Sequence, residues 1–168
     1  MAVILITGGA RSGKSTHAEK RALSFPGQPV YIATAEALDA EMAVRIAKHR
    51  AKRAAVDWIE REVSLDLLQA LIDTDGGGPR LVDCLTLWLS NMMHAGRDWE
   101  YELMKLAAFL RGQKSPVVFV TNEVGLGIVP DNALARSYRD AAGIMNQVIA
   151  AVSNEVEFVV AGLPMKLK

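Results

Sequence analysis

Short apolar runs alternate along this chain with longer segments in which apolar residues recur every three or four positions. The short runs are typical of buried strands, and the longer segments are typical of helices with one buried face. Strands are predicted from residue 3 into a glycine-rich loop at 8, and over 29–34, 56–61, 80–83, 115–121 and 157–161. Helices are predicted over 14–24, 39–54, 64–72, 86–94, 99–111 and from 131 or 132 to about 152.

Polar and special residues mark the ends of these elements. Asp39 and Ser64 can cap the second and third helices, and Asp131 or Asn132 can cap the last one, because short polar side chains accept hydrogen bonds from free backbone N–H groups. Gly162-Leu-Pro164 is expected to end the last strand.

The alternation of strands with helices predicts an α/β fold, with a mostly parallel sheet covered by helices on both faces. A chain of 168 residues, 51% apolar and 23% charged, suits a single domain over residues 1–168. The formal net charge is zero and the basic residues are scattered. This pattern argues against nucleic acid as a partner and favours small molecules.

Cys84 is the single cysteine and stands in an apolar run, so we expect a buried thiol without a disulfide or a cysteine-based metal cluster. The first residues lack the basic and long apolar regions of a secretion signal, and no run approaches the length of a membrane span. We therefore expect a cytoplasmic protein with no integral membrane segment.

The first strand leads directly into Gly8-Gly-Ala-Arg-Ser-Gly-Lys-Ser15, which fits the phosphate-loop pattern G-x-x-x-x-G-K-[ST]. Glycines let the backbone curl around a polyphosphate, so that successive N–H groups and the next helix N-terminus point at negative oxygens. Lys14 would bind the β- and γ-phosphates, and the Ser15 hydroxyl would be a ligand of Mg²⁺. The alternative is a glycine-rich turn that only precedes a helix.

Asp83 ends the apolar strand at 80–83, which is the form of a Walker B acid that holds Mg²⁺ beside a phosphate loop. The alternative is a carboxylate that only caps the strand. A glycine-containing loop at 121–130 follows a later strand. Ligands of open parallel sheets bind beyond the carboxyl ends of the strands, so a second substrate is expected at this loop.

A phosphate loop and a strand-end carboxylate supply the positioning and charge neutralisation that phosphoryl transfer requires. The residues alone therefore favour a kinase of a small hydroxylated metabolite. A GTP-dependent switch or regulatory ATPase is the competing class. A switch should read guanine through Asn-Lys-x-Asp after a strand, and here Asn122-Glu-Val-Gly125 follows the strand instead.

Five blocks of sequence, at 7–15, 31–35, 39–50, 81–91 and 121–136, follow one another over nearly the whole chain. The third reads DAEMAVRIAKHR and the last reads TNEVGLGIVPDNALAR. Together they resemble the bifunctional adenosylcobinamide kinase / adenosylcobinamide-phosphate guanylyltransferases of cobalamin biosynthesis. The third and last blocks are close to a signature of that family.

The resemblance implies a RecA-like domain, a homotrimer and two reactions. ATP or GTP phosphorylates the aminopropanol hydroxyl of adenosylcobinamide. GMP from GTP is then joined to that phosphate, which releases pyrophosphate and gives adenosylcobinamide-GDP. In the family a histidine carries the guanylyl group covalently, and the matching residue here is His49. A kinase without guanylyl transfer is the alternative.

The resemblance also implies a set of nucleotide contacts, in which Lys14 is catalytic together with His49, and Ser15 and Asp83 hold the metal. Glu62 could accept hydrogen bonds from two guanine donors that adenine lacks, although an exposed loop glutamate is the alternative. Ala54 stands where many members have proline. The matching contact residues are Gly8, Gly9, Ala10, Arg11, Ser12, Gly13, Lys14, Ser15, Thr34, Ala35, Glu36, Arg50, Ala51, Lys52, Arg53, Glu62 and Asp83.

On the predicted helix, His49 shares a face with Arg45 and Arg53. Cationic neighbours favour the neutral imidazole that an attack on the α-phosphorus of GTP requires. Spacing alone would favour a surface or core-edge histidine, and only the family block distinguishes His49 from His17 and His94.

Overall fold

The computed structural model describes residues 2–36 and 40–168. In one helix the description excludes a group of side chains, which are those of Glu41, Met42, Ala43, Arg45, Lys48, His49 and Lys52. The predicted helix cap Asp39 lies outside the described residues.

Seven strands form one sheet in the described part of the chain. They are β1 (Val3–Gly8), β2 (Val30–Ala33), β3 (Ile59–Glu62), β4 (Arg80–Asp83), β5 (Val117–Val120), β6 (Glu155–Val160) and β7 (Leu163–Lys166). Their order is β3-β2-β4-β5-β1-β6-β7, and every neighbouring pair is parallel except β6 with β7. The predicted mostly parallel sheet is confirmed.

Helices connect these strands, because parallel neighbours cannot be joined by a tight turn. They are α1 (Lys14–Leu23), α2 (Ala40–Arg53), α3 (Leu67–Asp73), α4 (Leu85–His94), α5 (Trp99–Leu110) and α6 (Ala133–Val152). Asn132, one of the two predicted caps, accepts a hydrogen bond from the Ala135 N–H at 2.8 Å. Among the described helices, none is long and apolar enough to cross a lipid bilayer.

The strand β1, which lies between β5 and β6, is buried on both faces of the sheet. Val3 and Leu5 belong to the larger core cluster, which includes residues of α3 to α6, whereas Ile4 and Ile6 pack in a second cluster with α1. Burying one such side chain contributes about 1.5–3 kcal/mol. The two clusters therefore hold β1, and the loop that follows it, from both sides.

The third helix begins later than predicted, and Ser64 is not its cap. The Ser64 carbonyl accepts a hydrogen bond from Asn91 at 3.1 Å, and the Leu65 carbonyl accepts one from the Trp88 indole at 2.8 Å. These contacts hold the two residues in a turn, so that α3 starts only after Asp66. The cap prediction was wrong because it ignored these tertiary contacts.

The chain does not end its last strand at Gly162-Leu-Pro164, as predicted, but turns there into β7. Ala161 and Gly162 both have positive φ angles, of 51° and 81°, which is typical of a tight hairpin turn. Pro164 is tolerated because β7 is an edge strand and Pro needs no ladder N–H there. Proline was therefore misread as the end of the sheet.

The strand predicted at 56–61 is displaced towards the C-terminus. The Val56 N–H donates to the Arg53 carbonyl at 2.9 Å, so the chain still turns there after α2. The strand β3 begins only at Ile59, where it pairs with Val30 of β2. All of its residues are exposed, as expected for the other edge of the sheet.

A buried arginine lies at the start of β4, a position that the sequence presents as part of an apolar strand. Arg80 is fully buried, donates to the Leu71 carbonyl at 2.8 Å and to Gln113 at 2.5 Å, and lies 3.2 Å from an Asp75 carboxylate oxygen. Asp75 in turn accepts the Ser115 N–H at 2.9 Å. This polar network joins α3, the loop before β4 and the loop before β5.

We expect Arg80→Leu to lower the free energy of unfolding by about 1–3 kcal/mol, because it leaves the Leu71 carbonyl and the Gln113 amide oxygen without their buried donor. Urea denaturation measures this loss. Arg97→Leu is the matched control, since the Arg97–Asp66 pair is exposed and should contribute about 0–1 kcal/mol. Similar losses in the two variants would contradict the structural role of Arg80.

Candidate active site

The loop after β1 has the backbone geometry of a phosphate cradle. Gly13, the last residue before α1, has a φ angle of 95°, and Arg11 has one of 55°. A Cβ atom on Gly8 would lie 2.5 Å from the Val159 carbonyl oxygen, so glycine is required there. The Gly162 N–H donates to the Ser12 carbonyl at 2.8 Å, so the β6–β7 turn supports the loop.

A cavity of about 150 Å³ opens beside this loop, at the carboxyl ends of the parallel strands. Five of the predicted site residues line it, namely Lys14, Ser15, Ala35, Arg53 and Asp83. The Lys14 ammonium donates to the Gly9 carbonyl at 2.9 Å, which holds it across the loop. The sheet thus brings together residues that are distant in sequence, as the strand order requires.

Hydrogen bonds join the residue that follows β2, Thr34, to the residue that follows β4, Cys84. The Thr34 hydroxyl donates to the Cys84 carbonyl at 2.7 Å and accepts the Cys84 N–H at 2.8 Å. Thr34 is fully buried and does not line the cavity, so the structure gives it a supporting place. Cys84 is buried, as predicted, and burial raises the pKa of its thiol.

Asp83 shares the cavity with an aromatic residue that the sequence analysis did not single out. The Tyr31 hydroxyl donates to Asp83 Oδ2 at 2.6 Å. Burial, the Asp83 charge and this hydrogen bond raise the pKa of Tyr31, so the phenol keeps its proton. Tyr31 and Ala33 are two positions apart in β2, so their side chains lie on the same face, and both line the cavity. This spacing was the signal in the sequence that could have pointed to Tyr31.

Arg53, the last residue of α2, is drawn into the same cluster. Its guanidinium carbon lies 3.5 Å from the centre of the Tyr31 ring, and its Nη2 donates to Glu60 at 3.1 Å. Within the described structure, its Nε and Nη1 have no hydrogen-bond partner, although only 5% of the side chain is exposed. Arg53 also lines the cavity, where its positive charge suits an anion.

The other predicted contact residues whose side chains the structure describes do not line this cavity. Some lie on the exposed surface near α2 and β3, and others line a second cavity. Glu36 and Ala51 are exposed, and Arg50 and Glu62 form an exposed ion pair with each other. Of His49 and Lys52, only the place in α2 is described. On the other side of the phosphate loop, a cavity of about 380 Å³ is lined in part by Gly9, Ala10, Arg11 and Ser12.

One face of α2 borders the cavity, because Ile46 and Arg53 both line it. The two residues are seven positions apart and therefore lie on the same face of a helix. Asn122, from the loop after β5, completes the wall opposite and donates to the Thr86 hydroxyl at 2.7 Å. The Glu123 N–H donates to the Gly8 carbonyl at 3.1 Å, so this second loop contacts the phosphate loop.

The donors in the cavity fit a hard divalent cation, because the Ser15 hydroxyl and the Asp83 carboxylate supply oxygen atoms. Among the side chains that the structure describes, no group of three or more His, Cys, Asp or Glu residues could hold a metal ion. A cation held here would therefore need oxygens of a bound phosphate as well.

A phosphate loop after a central strand, with an aspartate at the end of β4, defines the chain as a phosphate-loop nucleotide-binding protein. The sequence model of the CobU family, described as cobinamide kinase / cobinamide phosphate guanyltransferase, matches residues 4–167. The chain belongs to this family of enzymes.

Two curated relatives align with nearly the whole chain. The bifunctional adenosylcobalamin biosynthesis protein CobP of Pseudomonas aeruginosa is 46% identical over 98% of this chain and 96% of its own length. The corresponding CobU protein of Escherichia coli K12 is 42% identical over 99% of both chains. Their names support the bifunctional enzyme over a kinase without guanylyl transfer.

A solved structure with a similar fold is the flagellar accessory protein FlaH from Methanocaldococcus jannaschii. Its TM-score is 0.58, with 15% sequence identity, and the match covers 99% of this chain and 78% of that chain. At this identity the likeness concerns the fold alone.

Two neighbouring glycines of the loop should respond differently to a methyl group. In Gly8→Ala the new Cβ meets Val159 O at 2.5 Å and Ser12 Oγ at 2.8 Å, and overpacking of this kind costs about 1–3 kcal/mol. We expect a lower thermal midpoint and weaker nucleotide binding. In Gly9→Ala no heavy atom lies within 4 Å of the new Cβ, so its midpoint should not change. Equal midpoints would contradict the described loop packing.

Proposed function

We propose that this chain phosphorylates the aminopropanol hydroxyl of adenosylcobinamide with ATP or GTP, and then transfers GMP from GTP to the resulting phosphate. One observation carries the proposal. A single cavity is lined by Lys14 and Asp83 and by the face of α2 on which position 49 lies between Ile46 and Arg53. Family membership supplies the identity of the substrates.

In the first reaction the substrate hydroxyl oxygen attacks the γ-phosphorus of the nucleotide. The bond to the β-phosphate oxygen breaks, the nucleoside diphosphate leaves, and the hydroxyl proton passes to solvent or a nearby base. Lys14 and the loop N–H groups would hold the phosphates in line, because positioning and charge stabilisation dominate phosphoryl transfer. Ser15 and Asp83 would hold Mg²⁺, which when bound neutralises phosphate charge.

In the second reaction a neutral imidazole nitrogen of His49 attacks the α-phosphorus of GTP, and pyrophosphate leaves. The phosphate of adenosylcobinamide phosphate then attacks the same phosphorus, which breaks the P–N bond, restores the histidine and gives adenosylcobinamide-GDP. Arg53 supports this step, because its unpartnered donors are suited to negative phosphoryl oxygens.

Glu62 remains our candidate for reading guanine, with Arg50 as the group that orients it. The Arg50 guanidinium forms ion pairs with both Glu62 and Glu60. A carboxylate held in this way can accept from the N1 and N2 donors of guanine, whereas adenine offers no such pair. Arg50 would thereby connect nucleotide recognition to α2.

We also propose that the chain is one phosphate-loop domain that assembles as a cytoplasmic homotrimer. Several large apolar side chains on the surface support an assembly, among them Leu126, Ile128 and Leu163, which are 80%, 98% and 73% exposed. Large exposed apolar patches are typical of surfaces that bind another protein chain.

Lys14→Ala should lower the turnover of cobinamide phosphorylation by about 10²–10³-fold, the usual loss when one donor to developing charge is removed. The fold should persist, because Lys14 lines the cavity and belongs to neither hydrophobic core cluster. Lys20→Ala is the matched control, since Lys20 is an exposed lysine of the same helix. Near-normal turnover in Lys14→Ala would remove the loop from the mechanism.

His49→Ala should keep the kinase activity but lose both covalent GMP and adenosylcobinamide-GDP. The measurement is the label retained on denatured protein after incubation with α-labelled GTP, together with mass analysis of the corrinoid products. A phosphoramidate is acid-labile and base-stable, which identifies histidine as the carrier.

His94→Ala is the control for this experiment, because His94 is exposed and bonds only to Ser90 among its described contacts. His17→Gln is a second control, and it keeps a polar group beside Glu157. Guanylylation of the His49→Ala protein would overturn the assignment.

A further inference from the structure

Tyr31 contacts both parts of the proposed machinery at once. Its hydroxyl donates to Asp83 Oδ2 at 2.6 Å, and its ring lies 3.5 Å from the guanidinium carbon of Arg53. The edge of the Trp58 indole packs against it, with ring centres 5.7 Å apart and an interplanar angle of 82°. Tyr31 is 3% exposed, so these contacts fix both the ring and the hydroxyl.

The hydrogen bond to Asp83 restricts a carboxylate that would otherwise rotate. A carboxylate offers about four lone-pair sites, and Tyr31 occupies one of them on Oδ2. The remaining sites stay available to a cation or its water. A phenol keeps its proton at neutral pH, so the Tyr31 hydroxyl is the donor of this bond.

The ring contact acts on a different element. Arg53 is the last residue of α2, and its guanidinium is held between the Tyr31 face and the Glu60 carboxylate. A cation over an aromatic face is stabilised by about 0.5–2 kcal/mol, with the larger values for desolvated pairs. Tyr31 therefore fixes the C-terminal end of the helix that carries position 49.

We propose that Tyr31 is a positioning residue for both reactions, in which its hydroxyl orients Asp83 towards the cation and its ring holds Arg53 and the end of α2. The inference rests on the proposed function, since it takes Asp83 as a metal ligand and position 49 as the guanylyl carrier. Groups that orient metal ligands typically change metal affinity about 10–100-fold when removed.

Tyr31→Phe tests the hydroxyl, because it deletes one oxygen and keeps the ring. The readout is binding of GTP by calorimetry over a series of Mg²⁺ concentrations. We expect the Mg²⁺ concentration at half-maximal enhancement of GTP binding to rise about tenfold. Affinity for GTP in EDTA should not change. An unchanged Mg²⁺ requirement would overturn the role of the hydroxyl.

Tyr138→Phe is the matched control. The Tyr138 hydroxyl is likewise partly buried, with a pKa raised by burial to about 12, and it donates to the Thr86 carbonyl at 2.9 Å. Tyr138 lies outside the cavity beside the phosphate loop. It should therefore keep the Mg²⁺ requirement of the unmodified protein, and a tenfold rise in this variant too would overturn the specific role of Tyr31.

Tyr31→Leu tests the ring, because it removes the surface under Arg53 as well as the hydroxyl. Covalent GMP labelling should fall several-fold below that of Tyr31→Phe at saturating Mg²⁺. Equal labelling in the two variants would overturn the role of the ring. If Tyr31→Leu does not fold, Tyr31→Met replaces it, because it also removes the ring but keeps more of the side-chain volume, and it should give the same loss of labelling.

Asp83→Asn, measured beside these variants, separates this inference from the proposed function. If the Mg²⁺ concentration at half-maximal enhancement of GTP binding changes in Asp83→Asn but not in Tyr31→Phe, only the positioning role of Tyr31 fails. If neither variant changes it, the assignment of Asp83 as a metal ligand fails too, and the inference fails with it.

Discussion

The site depends on the parallel alignment of β1, β5 and β4, which places the ends of three strands at one edge of the sheet. Gly8 ends β1 and Asp83 ends β4, and Asp83 is in register with Val120 at the end of β5. The buried faces of β1 fix this alignment, because a slip of one residue would turn its apolar side chains out of one core cluster and into the other.

Around this edge the chain commits polar groups to buried places, and each is matched by a neighbour. Asp83 is matched by the Tyr31 hydroxyl, and Thr34 is matched by the backbone of Cys84. Arg53 is matched only in part, by Glu60 and the Tyr31 ring, and its buried Nε and Nη1 have no partner in the described structure. Incomplete pairing of a buried cation is costly unless an anion completes it, and a nucleotide phosphate is suited to do so.

The helix α2 connects the two proposed reactions. Its face with Ile46 and Arg53 borders the cavity, and its C-terminal end is joined to β3 by the pairs of Arg50 and Arg53 with Glu60. One set of bound phosphates could thus meet either a substrate hydroxyl or a nucleophile on α2. A small domain can run both chemistries without a second nucleotide-binding domain, because both need the same charge neutralisation.

Much of the fold followed from local pattern. The apolar runs of β1, β4 and β5 predicted buried parallel strands, and G-x-x-x-x-G-K-S predicted the loop, because these features depend on residues that are adjacent in the chain. The position of Asp83 at a strand end was equally local. The hypothesis that His49 carries the guanylyl group needed the family block, since spacing alone does not distinguish one helical histidine from another.

What the tertiary structure decided are contacts between distant segments. The hairpin of β6 and β7 depends on an edge position that tolerates Pro164, and the start of α3 depends on side chains of α4. Arg80 is buried only because Asp75 and Gln113 come from other segments to meet it. In the sequence, Tyr31 is an ordinary strand residue. Only the tertiary structure shows its contacts with Asp83 and Arg53. The two Tyr31 contacts join residues 22 and 52 positions apart, and no local periodicity encodes a pairing of that kind.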